Sequence, residues 1–419
     1  MKREWDRNEK GRLFGIIEAA LEYFISILVT GAYLARITSA LGFSDSLTGI
    51  LSSFVSLGCL FQLGSIFVFR KQKGVKKPVI AMMLVNQLLF AIVYLIPVFS
   101  LPSAAKTALF LVCFVSAYIV SNLAVPQKSG WLISFVSDRA RGIYTAKKEM
   151  VSLLGGMIFT FIAGNVIDRM ESAGNTRMVF VIGSITVFAL MALHAFSLIP
   201  VGEIKAEAGG ERAKFKTLLK DRMFVKIVMV NVIWHIASCA ATPFYGAYQI
   251  KELGFSMTFI SILSIAYSVV RMAVSPALGR FADRHSFASM VSICFMIAGA
   301  GFLVNCFTVP ENGRILFTAY YCLSAASMGG INSAVSNLIY DHVKGAGRAG
   351  AIAVSSALGG AAGFLSTCLM SPVVELIQKN GNTLFGMKLY PAQFVSFTAF
   401  LITCLLIVYV RVFVVGKRG

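Results

Sequence analysis

Apolar runs unbroken for 18 to 25 residues recur along this chain and decide what it can fold into. A helix needs about 20 apolar residues to cross a bilayer. Within lipid, only helices and closed barrels satisfy every backbone polar group. Barrel strands would alternate over ~10 residues, and period-2 alternation is absent here. Charged residues are 14% of the 419 positions and hydrophobic ones 57%, with a mean hydropathy of +0.77. An ordinary soluble domain carries roughly 25% charged residues. A soluble enzyme, a coiled coil, a disordered chain and a secreted disulfide scaffold are all excluded. The chain reads as an all-α, multi-pass membrane protein.

The runs fall at 13–35, 47–69, 78–99, 105–136, 147–168 and 178–200, then at 223–250, 258–279, 287–309, 315–340, 349–374 and 391–414. Twelve transmembrane helices are expected, in two sets of six. The net charge of +19 invites a nucleic-acid reading, but basic residues also mark the cytoplasmic side of membrane proteins. With the N-terminus inside, 28 of the 38 Lys and Arg fall on the cytoplasmic side. The opposite loops hold Arg36, Lys106, Arg169, Arg177, Lys251, Arg314, Lys379 and Lys388, and the spans hold Lys128 and Arg271. A miscounted helix would scramble this bias, so both termini are expected in the cytoplasm and the protein in a bacterial cytoplasmic membrane.

The opening MKREWDRNEKGR has no cleavable signal pattern, so the first run is expected to stay in the mature protein. The eight cysteines stand singly inside apolar runs, without a CxxC or Cys/His cluster, and indicate neither a metal site nor a disulfide framework. No GxxxxGK[ST] occurs, which removes ATP as the direct energy source. No cofactor is expected.

The two halves resemble each other. Arg12-Leu13-Phe14 opens the first and Arg222-Met223-Phe224 the second. Leu41-Gly42-Phe43-Ser44 and Leu253-Gly254-Phe255-Ser256 follow, each preceded by Gly-Ala-Tyr from Gly31 or Gly246. Asp138 precedes Leu154-Gly155-Gly156 much as Asp341 precedes Leu358-Gly359-Gly360. Six helices per copy is an even number, so the copies are parallel. The domains read as a six-helix bundle over 1–200, a polar cytoplasmic linker over 201–222 and a second six-helix bundle over 223–419.

Between the eighth and ninth runs stands Gly279-Arg280-Phe281-Ala282-Asp283-Arg284-His285. This resembles the G-x-x-x-D-R signature of the major facilitator superfamily, whose parallel six-helix halves the duplication also matches. The resemblance implies that Gly279, Asp283 and Arg284 help latch the cytoplasmic side. Glycine allows helices to approach closely, and the acid caps a helix N-terminus or holds a basic partner. Ser286-Phe287-Ala288 depart from the usual continuation, and the first-half loop Arg70–Lys77 keeps the charge but has no acid. Asp138-Arg139-Ala140-Arg141-Gly142 resembles a second loop type of the family and adds Arg141 to the gating set. The fifth run (Val151–Gly164) lacks the Gly-Pro motif of many drug/proton antiporters.

Ionisable groups within the hydrocarbon cost at least ~2.5–3.5 kcal/mol each and are functional candidates. At about 1.5 Å per residue, Glu22 and Lys128 lie ~15 Å from the cytoplasmic end and Arg271 ~12 Å, all near the midplane. Family geometry places the first and fourth helices around the cavity and the eighth beside it. Lys128 and Arg271 are thus substrate-binding candidates, and Glu22, with Glu18 one turn away, is the proton-coupling candidate. Gln62, Asn332, Trp234 and His235 are candidates to complete the pocket. Each has a structural alternative: the acids bond to neighbours, Lys128 pairs with Glu22, Arg271 braces carbonyls, the amides bridge helices, and His235 is a satisfied core histidine. His194, near a helix end, is given no role. The Gly155-Gly156 and Gly359-Gly360 pairs read as close helix packing.

The function expected is secondary active transport of a small polar or anionic organic solute by alternating access, with proton-coupled symport. The partners are a small-molecule substrate, a coupling ion and the bilayer, with no nucleic acid, and a monomer is expected. Proton-driven efflux of an amphipathic compound is the main rival, and a lipid flippase, which predicts a lipid-open lateral groove, comes from a different class. No nucleophile constellation points to an enzyme.

Overall fold

The computed structural model describes residues 2–69, 74–136, 141–203, 220–342, 347–384 and 386–414. The first apolar run folds as α1 (Lys2–Leu28) and α2 (Gly31–Ala40), bent by 42° where they meet at Gly31, whose φ is +54°. The run expected at 47–69 is not one continuous helix. It is broken into α3 (Asp45–Ser52), α4 (Phe54–Phe61), a 3-10 turn over Gln62–Gly64 and α5 (Ser65–Phe69). Ser53 turns its hydroxyl back onto the Ile50 carbonyl at 2.7 Å, and Gly64 weakens the later junction.

Longer helices follow: α6 (Lys76–Leu95), α7 (Ser103–Ile133), α8 (Arg141–Ser172) and α9 (Thr176–Leu198). Further along the chain come α10 (Arg222–Cys239) and α11 (Thr242–Ala247), which runs into a π-helical turn over Tyr248–Glu252. The remainder is α12 (Met257–Arg284), α13 (Phe287–Asn305), α14 (Gly313–His342), α15 (Gly347–Lys379) and α16 (Pro391–Phe413). Between the last two, β1 (Thr383–Leu384) and β2 (Met387–Lys388) form a small antiparallel hairpin, a local exception to the expected all-α fold. Among the described residues, nine helices are long and apolar enough to cross a membrane, or ten if α1 and α2 count as one bent span.

These helices present Ile158, Ile162, Phe196, Leu369 and Leu405 outward, largely exposed. In water such a surface would be an aggregation liability, whereas acyl chains accept it without cost. All eight cysteines are free.

The sequence repeat has a backbone counterpart. Gly42 and Gly254 both adopt positive φ, +74° and +61°, and each closes the preceding helix by turning the chain. The serine two residues on then caps the next helix: Ser44 Oγ accepts from Leu47 N at 3.2 Å and Ser256 Oγ from Phe259 N at 3.1 Å. The two copies of Leu-Gly-Phe-Ser are therefore one stop-and-restart device used twice.

By contacts, the chain divides into two compact units. One comprises Met1–Phe43, Phe61–Gly209 and Ser256–Ser261, the other Ser44–Leu60, Gly210–Phe255 and Ile262–Gly419. In the first, Trp131 is fully buried, with Val79, Met83 and Leu198 in the same core, and its indole donates to the Gly202 carbonyl at 2.7 Å. Asp168, at the end of α8, caps α12 there by accepting from Met257 N at 2.9 Å and Thr258 N at 2.7 Å. In the second unit, Asp45 accepts from Lys251 Nζ at 2.5 Å and Gln378 Nε2 at 2.6 Å, and Ser46 shares a hydrogen bond with Ser371.

The expected glycine packing is present at both pairs. A side chain at Gly155 or Gly156 would strike Phe24 or Tyr23, and one at Gly360 would strike the Ser56 carbonyl. Gly279 differs: among the described residues a Cβ there meets nothing within 4 Å. Gly360→Ala is expected to lower the unfolding temperature of the detergent-purified protein, because a carbonyl cannot rotate away; overpacking of this kind costs ~1–3 kcal/mol. Gly279→Ala should leave that temperature unchanged. Equal melting of the two variants in a thermal-shift assay would contradict the packing described.

Candidate functional site

Glu18 and Glu22 are four residues apart on α1 and therefore share one face. Lys128 comes from α7, two residues beyond Pro126. Its ammonium donates to Glu18 Oε1 at 2.7 Å and also pairs with Glu22. His194, from α9, places Nε2 3.2 Å from that same Glu18 oxygen. Three helices thus converge on one carboxylate oxygen, Glu18 Oε1. Exposure separates the members: the side chains of His194, Glu18 and Lys128 are 1%, 3% and 6% exposed, whereas that of Glu22 is 38% exposed.

A buried ammonium is tolerated only when compensated, and removing one partner from a buried pair typically costs 3–5 kcal/mol. Glu18 provides that compensation inside the protein. Glu22 adds a second carboxylate from the open side. The pairing of Lys128 with Glu22 is the structural alternative that the sequence offered for this lysine. His194 was not legible as part of this set. The signal available was a histidine inside an otherwise uncharged run, the same feature that singled out Lys128.

The other candidates lie in various settings. Gln62 Nε2 donates to Asn122 Oδ1 at 3.2 Å, joining the 3-10 turn to α7 as a helix-bridging amide does. Trp234 is buried and leans on Phe295, with ring centroids 5.3 Å apart. His235 is half-buried beside Gly359 and bonds through Nδ1 to the Asn231 carbonyl at 2.9 Å. Asn231 itself donates to the Ser355 carbonyl at 2.8 Å, so α10 and α15 are tied together at this level. Arg271 is half-buried on α12, in the second unit, and the first unit holds the Lys128 cluster.

The signature loop is only partly described. Arg284 is exposed at the end of α12, and Arg280 folds back onto the Pro276 carbonyl at 3.3 Å. The side chains of Asp283, Asn332 and Arg141 lie outside the described residues, as do the segments 70–73, 137–140, 204–219 and 343–346, which hold much of the first basic loop, of the second loop motif and of the linker. Among the described residues no group of three or more His, Cys, Asp or Glu is arranged to hold a metal ion.

A cleft of about 790 Å³, counting its open mouth, lies elsewhere in the first unit. Leu28, Ile37, Phe159, Ile162 and Val166 make it apolar, and Arg36 adds a guanidinium paired with Glu171. No member of the Lys128 cluster lines it.

The sequence profile described as Major Facilitator Superfamily matches residues 16–367. A comparison with curated proteins finds no match. Among solved structures the chain is similar to the nucleoside transporter NupG, at 14% identity and TM-score 0.71, covering 98% of this chain and 100% of that one. It is also similar to a D-xylose-proton symporter, at 14% identity and TM-score 0.71 over 97% and 98% of the two chains. A third is a bacterial homolog of the human lysosomal transporter Spinster, at 12% identity and TM-score 0.68 over 99% of each. At these identities the likeness concerns the fold. The match of the family profile over most of the chain decides membership: this protein belongs to the Major Facilitator Superfamily, and is a multi-pass membrane protein and secondary active transporter rather than an enzyme.

Proposed function

We propose that this transporter moves a small polar or anionic organic solute by alternating access and proton symport, in a twelve-helix arrangement with both termini cytoplasmic. The six-helix bundles would be 1–200 and 223–419, joined by the linker 201–222. The observation that carries the reading is the inequality of the two acids on Lys128, one sealed and one open. Glu18 keeps the ammonium compensated throughout the cycle. Glu22 is the replaceable partner, and an anionic or hydroxyl-rich group of the solute takes its place on Lys128.

Charge counting links that exchange to a proton. Two carboxylates and one ammonium leave one negative charge. A solute anion would make two in a low-dielectric site, a costly sum. Protonating Glu22 as the anion enters restores the original count, so the anion and the proton travel together. For a neutral solute the same proton frees Lys128 to donate. One of the similar structures is that of a proton symporter, which is compatible with this reading. Arg271, Asn332, Gln62, Trp234 and His235 remain candidate contacts, with Glu18 supporting Glu22. Asp283, Arg284, Arg141 and Gly279 remain candidate elements of the cytoplasmic latch.

A specific observation favours a second reading. The apolar cleft with Arg36 suits an amphipathic compound or a lipid, the cargo of an exporter or flippase. The buried ionic cluster has no evident task in that reading, which is why it ranks second.

Thermal-shift screening across sugars, nucleosides, organic acids, amino acids and drugs should give stabilisation by a polar or anionic solute, and stabilisation by amphipathic drugs alone would favour export. With the solute so found, Glu22→Gln in proteoliposomes is expected to exchange solute across the membrane but not to accumulate it under an imposed pH gradient. Accumulation like wild type would remove Glu22 from coupling. Lys128→Met should lower uptake to background and destabilise the protein by about 3–5 kcal/mol, because two acids lose their cation. Wild-type uptake by that variant would exclude Lys128 from the site.

A further inference from the structure

His194 has no task in the transport reading, yet it touches the buried carboxylate of the cluster. Its Nε2 and the Lys128 ammonium meet on a single oxygen, Glu18 Oε1, at 3.2 and 2.7 Å. We propose that His194 is a positioning residue that fixes Glu18 as the permanent, ionised partner of Lys128 and thereby assigns the exchangeable proton to Glu22. The inference rests on the symport reading for its biological meaning, but not for its chemistry.

With the Nε2 tautomer protonated, His194 donates to Glu18. Hydrogen bonds to a charged form favour that form. Glu18 is buried and carries two donors on one oxygen, whereas Glu22 is the more exposed of the two acids, and the exchangeable proton is therefore assigned to Glu22. A proton on Glu18 would instead set two donors against a neutral acceptor and store the proton in a sealed position. Without His194, burial acts on Glu18 with one donor fewer, and the advantage of Glu22 disappears.

Other titratable groups face this region from each packed helix. From α1 come Glu18 and Glu22, and from α7 comes Lys128. From α8 comes Tyr144, whose hydroxyl is buried beside Gly15, one turn before Glu18, with no hydrogen-bond partner among the described residues. Lys76, at the start of α6, is instead held by the carbonyls of Ile199 and Val201 just past the end of α9. None of Glu22, Tyr144 and Lys76 stands on Glu18 as Lys128 and His194 do.

Infrared difference titration of the purified protein carrying isotope-labelled glutamate reads carboxyl protonation without a solute or a gradient. One glutamate protonation band is expected to be lost in Glu22→Gln. In the double variant His194→Leu with Glu22→Gln a new band should appear, from Glu18. In His194→Gln with Glu22→Gln, where an amide restores a donor, that band should be absent. A silent leucine double variant, or a persistent band in Glu22→Gln alone, would overturn the proposal. If the leucine variant does not elute as a folded species, His194→Asn, whose shorter amide falls away from Glu18, is expected to give the same new band. A protein that shows this pattern but does not accumulate solute under a pH gradient would sink the symport reading and leave His194 in place. Coupled uptake together with a persistent band in Glu22→Gln would do the reverse.

Discussion

An ammonium deep in a membrane protein has to be neutralised where it stands, because the bilayer offers it no water. Lys128 meets that requirement with two acids from a single face of α1 and a histidine behind one of them. The requirement fixes more than charge. Glu18 and Glu22 are one helical turn apart, so both reach Lys128 only if α1 stands at one height against α7. His194 then sets the height of α9 against α1. Such a cluster is a register mark, and a slip of either neighbour would leave a buried charge without a partner.

Backbone polarity imposes the matching constraint at the helix ends. In lipid, an uncapped helix end leaves donors that nothing else can satisfy. Asp168 answers this for α12, accepting from the amides of both Met257 and Thr258. The repeated Leu-Gly-Phe-Ser segments answer it again, with a left-handed glycine ending one helix and a serine starting the next. Both turns use the same residue types because few others can perform them.

Much of this was legible in the sequence. The runs expected at 105–136 and 178–200 stand as Ser103–Ile133 and Thr176–Leu198. Their ends shift by a few residues because apolar runs carry no sharp stop signal. The breaks in 47–69 were not legible, since hydropathy averages over Ser53 and Gly64 and registers neither a turned-back hydroxyl nor a 3-10 turn. Counting residues placed Glu22 and Lys128 at one depth, because each helix is a ruler of fixed pitch. The partner of Glu18 on α9 escaped that count. A neutral histidine is cheap to bury, and His194 lies close to where its run was expected to end. Asp45 and Asp168 escaped for another reason: their partners are 206 and 89 positions away, and nothing local marks them as caps or ion-pair acceptors.

The inequality between Glu18 and Glu22 bears on why a transporter would keep two acids for one base. With a single acid, release of Lys128 to a solute would leave the ammonium uncompensated at the moment of exchange, at the full cost of a broken buried pair. With two equally exposed acids, either could take the proton, and the state that binds solute would be a mixture. One sealed acid and one open acid avoid both difficulties. In the proposed cycle the sealed pair would persist, the open acid alone would change partner, and solute and proton would answer to a single event on α1. On that proposal the packing of α9 behind Glu18 would be as much a part of solute recognition as the face of Lys128 that the solute would touch.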